Sequence, residues 1–64
     1  MFTKQELAAL NALYEGKSQK KVEETSSEQT MDSLRHKLGV DRTGEMLERF
    51  QAMTGWSNPP KDYA

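Results

Sequence analysis

Basic side chains gather at two places in this 64-residue chain, and their spacing limits the chemistry open to it. Lys17, Lys20 and Lys21 form the first group, with Glu23 and Glu24 directly after them. Arg35-His36-Lys37 forms the second. Each group suits phosphate contact, and each has a plainer use, the first as a solvated helix face and the second as cations at a helix C-terminus. A metal site is not expected, because His36 is the only His and no Cys exists to complete a ligand set. No carboxylate pair, Ser/His pairing or Gly-rich loop has a spacing that points to catalysis, and so short a chain has little capacity to enclose a deep pocket. The expectation is a binding protein with no enzymatic activity, no cofactor and no small-molecule substrate.

The nine Lys and Arg stand against ten Asp and Glu, a formal net charge of −1. Dedicated nucleic-acid binders are more often clearly basic, so strong non-specific DNA affinity is not expected, although a local basic patch is still open. A domain of this size buries a modest fraction of its surface and needs reinforcement. Without disulfides or metal, that leaves well-fitted helix packing, dimerisation or docking onto another protein. No apolar run reaches the length of a transmembrane helix, and Met1-Phe2-Thr3-Lys4-Gln5-Glu6 lacks the basic-then-apolar order of a signal peptide. The lack of Cys suits a reducing compartment, so the expected address is the cytoplasm.

These residues need elements to position them, and the chain marks helices throughout. Thr3 and Glu6 form a T-x-x-E capping box, and Phe2 and Leu7 occupy the flanking positions of a hydrophobic staple. Leu7, Leu10 and Tyr14, with Leu13 beside them, make one apolar face, and Gly16 supplies a left-handed end, so the first helix is read as 4–15. Ser18 can cap a short second helix over 19–25, in which Val22 is the single large apolar residue. Ser26 or Ser27 starts a third helix of about 28–38; Ser26 with Gln29 makes a second capping-box pattern, and Met31, Leu34 and Leu38 make its apolar face. Gly39 ends it, with Val40 packing back. A fourth helix follows Asp41 or Thr43, its apolar face being Met46, Leu47, Phe50 and Met53, and Gly55-Trp56 repeats the Gly39-Val40 ending. Ser57-Asn58-Pro59-Pro60 cannot remain helical. The organisation expected is an all-α domain over 1–56 and a Pro-containing tail over 57–64, with Tyr63 a candidate to dock back. No segment alternates with the period of a strand.

The order of these fragments resembles the DNA-binding domain of LuxR/GerE-type bacterial regulators, which also closes NarL-type response regulators. The matching residues are Phe2-Thr3-Lys4-Gln5-Glu6, Glu15-Gly16-Lys17-Ser18-Gln19-Lys20-Lys21-Val22, Ser27-Glu28-Gln29-Thr30-Met31, and Lys37-Leu38-Gly39-Val40 with Arg42 and Glu45. The resemblance covers residues 2–53, most of the chain. The resemblance implies a four-helix helix-turn-helix fold, with the third helix in the major groove and the fourth commonly at a dimer interface.

This chain departs from the family pattern. It is shorter by about two residues before Ser27 and by roughly four within the third helix, close to half a turn and one turn at 3.6 residues per turn. Glu23 stands where a small core residue is expected, and Asp32 where the family often has a base. Glu28 and Asp32 balance Arg35 and Lys37, which makes the third helix a poor phosphate-docking surface. The resemblance still places Lys20, Lys21, Ser27, Gln29, Thr30, Ser33, Arg35, His36 and Lys37 toward DNA, with Gln29 suited to an adenine edge and Arg35 to a guanine edge. Met46, Leu47, Phe50, Met53 and Trp56 are the candidates for a dimer or heteromeric interface. The expected function is a small DNA-binding transcription regulator acting as a homodimer. The alternative is a small regulator or phage-type antagonist that keeps the scaffold and binds a protein such as a transcription factor. A continuous positive stripe from Lys20 through Arg35 favours DNA; a broken stripe beside an exposed apolar fourth helix favours a protein partner.

Overall fold

The structure, a computed structural model, describes residues 2–56 and Pro59. Four α-helices follow in order: α1 (Lys4–Tyr14), α2 (Gln19–Thr25), α3 (Glu28–Leu38) and α4 (Met46–Thr54), with a 3-10 turn at Thr43–Glu45 leading into α4. No strand occurs among the described residues. Apart from Pro59, which is buried, the expected tail, including Tyr63, lies outside the described residues.

Local capping sets each boundary. At α1 the box closes in both directions: Glu6 N–H donates to Thr3 Oγ1 at 3.2 Å and Thr3 N–H donates to Glu6 Oε1 at 2.7 Å. Ser18 Oγ accepts from Lys21 N–H at 3.1 Å and starts α2. The two-residue link Ser26-Ser27 is extended at both positions, which turns the chain sharply from α2 into α3. Ser27, not Ser26, caps α3, accepting from Thr30 N–H at 3.1 Å. The Ser26/Gln29 box expected from sequence therefore does not form, and the start at Ser27 leaves Gln29 exposed.

Gly39 ends α3 in the left-handed region at φ 68°, and its N–H and that of Val40 both donate to the Arg35 carbonyl. Arg49 of α4 adds an Nε–H donor to the Leu38 carbonyl at 3.0 Å. That contact closes an otherwise open helix end with a cation, the sign the helix dipole favours. Gly39→Ala would force a Cβ into the left-handed region. The expected cost is about 1 kcal/mol, read as a lower urea midpoint at unchanged slope; an unaltered midpoint would show that this φ is not required.

The core is Leu7, Ala9, Leu10, Val22, Met31, Leu34, Leu38, Met46 and Phe50, with Phe2, Ala12, Leu13 and Val40 packed at its edge. α3 lies against both α1 and α4, and α2 lies against α1 and the 3-10 turn. Phe2 meets Phe50 edge-on at 5.2 Å between ring centroids, and Trp56 covers Phe50 at 5.9 Å. Two expectations fail at helix ends. Tyr14, the last residue of α1, is 49% exposed, and Met53, the residue before the last of α4, is 57% exposed. In each case the apolar period outruns the neighbouring helices that could cover it.

Candidate nucleic-acid interface

α2 holds its side chains in two groups. Val22 points into the core, and on the same side Glu23 accepts a hydrogen bond from buried Thr43 Oγ1 at 2.6 Å. Gln19, one turn earlier, lies over Gly44, so a Cβ there would collide with the Gln19 amide. Glu23 thus leaves the core position expected of a small residue and ties α2 to the 3-10 turn. Lys17, Lys20, Lys21 and Glu24 remain exposed on the other side. By helical period Lys20, Lys21 and Glu24 share the outward half of α2, two cations to one carboxylate, and Lys17 lies just before the N-cap Ser18.

α3 is different. Ser33 Oγ donates to Glu6 Oε2 at 2.5 Å, and Lys37 Nζ donates to Glu6 Oε1 at 2.8 Å. The Lys37 ammonium also lies 5.8 Å from the centre of the Phe2 ring. Glu6 is 1% exposed, so the capping residue of α1 doubles as a buried acceptor for side chains one turn apart on α3. Burial alone raises a carboxyl pKa, but here the hydrogen bonds from Lys37, Ser33 and Thr3, with the Lys37 charge, hold Glu6 below the usual carboxylate range.

Arg35 is paired to Asp32 one turn before it and is half-buried. Thr30 Oγ1 accepts from Ser27 Oγ at 2.8 Å. Of the residues expected to face DNA, Lys20, Lys21, Ser27, Gln29, His36 and Lys37 are exposed, and Thr30 is half-buried. Ser33 and Lys37 are turned to α1, and Arg35 is drawn to its own helix. The basic stripe therefore holds over α2 and breaks on α3 at Asp32.

An open groove of about 570 Å³ runs between the starts of α1 and α3, lined by Thr3, Gln5, Glu6, Ser27, Gln29 and Thr30 among others. Among the described residues no group of three or more His, Cys, Asp or Glu is placed to hold a metal ion, and no helix is long and apolar enough to cross a membrane.

The expected interface on α4 is largely spent elsewhere. Met46 and Phe50 are fully buried in the core and cannot serve a partner; Leu47 is half-buried. Met53 and Trp56, 52% exposed, remain at the end of the helix. Three roles escaped sequence reasoning: Glu6 as a long-range acceptor, Glu23 as the partner of Thr43, and Arg49 as the cap of α3. The capping box marked Glu6 for attention but only as a local residue. No known family model, curated protein or solved structure matches the chain.

Proposed function

We propose that the chain is a small DNA-binding regulator of the helix-turn-helix kind, with α2, the Ser26-Ser27 link and α3 as the binding unit. The observation that carries the reading is the outward face of α2, where Lys20 and Lys21 stand exposed with Lys17 just before the helix, together with the exposed Ser27 and Gln29 at the start of α3. The bond that Lys37 donates to buried Glu6 also supports it, since it joins the first and last fragments of the LuxR/GerE-like pattern. Phosphate contact falls to the α2 lysines, and α3 meets the bases with a face nearly free of positive charge. Affinity is accordingly modest and steeply salt-dependent.

The dimer contact in this reading is small. A half-exposed Trp offers on the order of 100 Å², against about 800 Å² per partner in a standard interface. DNA, rather than Met53 and Trp56, then holds two copies together.

Fluorescence titration of labelled duplexes at low and moderate salt tests the proposal. Lys20→Glu combined with Lys21→Glu should weaken binding at least tenfold at low salt and flatten the salt slope by about two phosphate contacts. Equal binding by wild type and variant, or none by either, would overturn it. A second reading, a protein-binding module, is favoured by the break of the basic stripe at the Asp32–Arg35 pair and by exposed Met53 and Trp56, although the rest of the apolar face of α4 is taken up by the core. It predicts no DNA affinity at low salt and a stoichiometric complex lost on Trp56→Ala.

A further inference from the structure

We infer that Asp32 is the specificity-determining residue of α3, an acceptor that favours sites presenting a cytosine amino group; the inference rests on the DNA-binding reading above. Met31, Leu34 and Leu38 face the core. Ser33 and Lys37 are held by Glu6, and Thr30 by Ser27. Arg35 and Glu28 flank a depression shared with Glu23 and Met31. Opposite the core this leaves Gln29, Asp32 and His36, all exposed. Their i, i+3, i+7 spacing sets them in one line. At ~1.5 Å per residue the line covers about 10 Å, roughly three base-pair steps of ~3.4 Å.

The chemistry of the middle residue is restrictive. A carboxylate only accepts, so among major-groove edges it needs an amino group. Guanine and thymine present acceptors at that edge, and adenine sets its N7 acceptor beside its amino group, whereas cytosine presents N4–H₂ alone. Arg35 contacts Asp32 through Oδ1 and reduces the freedom of the carboxylate, while the Asp32 side chain stays 63% exposed. Near phosphates the negative charge is unfavourable on every sequence, and it is offset only where the amino group donates to it. Removing the charge should therefore raise general affinity and erase one preference. A purely structural role would not move the two in opposite directions.

The test is site selection from randomised duplexes at low salt with the full chain, as wild type, Asp32→Ala and Asp32→Asn, followed by titration of the selected duplex and its single-base changes. Wild type should prefer cytosine at one position by roughly tenfold. Asp32→Ala should lose that preference and bind unrelated duplexes several-fold tighter. Asp32→Asn, whose amide both donates and accepts, should shift the preference toward adenine. Retention of the cytosine preference in Asp32→Ala, or a general loss of affinity, would overturn the inference while leaving the DNA-binding reading intact. Absence of binding by all three proteins at low salt would overturn both.

Discussion

Phe50→Ala should melt far below the wild-type chain, because it removes roughly a third or more of the stability of the domain. Phe50 is fully buried, contacted by the Phe2 ring on one side and by Trp56 on another, in a core built from few large side chains. Removing a buried Phe costs about 3–5 kcal/mol, the lost transfer energy plus the cavity left behind. A domain of this length has a total stability of roughly 3–10 kcal/mol. No disulfide is present to compensate. Far-UV circular dichroism and a thermal melt would check this; a cooperative melt within a few degrees of wild type would mean that the packing around Phe50 is not what holds α4 in place. Phe50→Leu, which keeps most of the volume, should fold with a lowered midpoint.

The second large effect is expected at Glu6. Glu6→Ala removes the acceptor of Thr3, Ser33 and Lys37 together and leaves the Ser33 hydroxyl and the Lys37 ammonium without their carboxylate. Thr3 still caps the helix, but the lost bond from its N–H costs about 1 kcal/mol, and removing one partner of a part-buried charged hydrogen bond about 2 kcal/mol more. The total of about 3 kcal/mol is comparable to the margin of the whole domain. Glu6→Gln should cost less, because its amide oxygen still accepts from one of these donors.

The Glu6 interaction also fixes the direction of the acid response. The folded-state pKa lies below the ordinary value of 4.5, so the carboxylate contributes its full stabilisation above that value. That contribution fades as pH falls through 4.5 toward the lowered folded value. The stability gap between wild type and Glu6→Gln should thus be constant from neutrality to about pH 5 and narrow below it. Urea titrations across that range would show it; a gap that widens in acid would contradict the assigned hydrogen bonds.

These two residues show what a sequence discloses and what it withholds. The helices were legible because their signals are local: Thr3, Ser18 and Ser27 each satisfy a backbone donor three residues on, and Gly39 and Gly55 each take the left-handed turn that stops a helix. Phe50 was legible as apolar and periodic, although its assignment to an interface was wrong, since the same period serves a core or a partner equally well. The second role of Glu6 depends on residues 27 and 31 positions away. Nothing in a T-x-x-E box reveals whether its carboxylate also faces a neighbouring helix. Charge counting along the third helix already balances Arg35 and Lys37 against Glu28 and Asp32, but it does not say which carboxylate each cation meets or whether a positive stripe from Lys20 reaches Arg35. The Arg35–Asp32 pair is local to the helix, whereas the bond from Lys37 to Glu6 depends on how far α3 is rotated about its axis, which follows from the packing of Met31, Leu34 and Leu38 in the core rather than from charge.

The row of rings from Phe2 through Phe50 to Trp56 has a practical consequence as well. Trp56 is the single tryptophan of the chain, and its indole is half in solvent and half on the most deeply buried ring of the core. Its emission therefore reports the loosening of α4 without any added label. Compared with ellipticity, which averages over all the helices, it distinguishes fraying at one end of the molecule from a single concerted loss of structure.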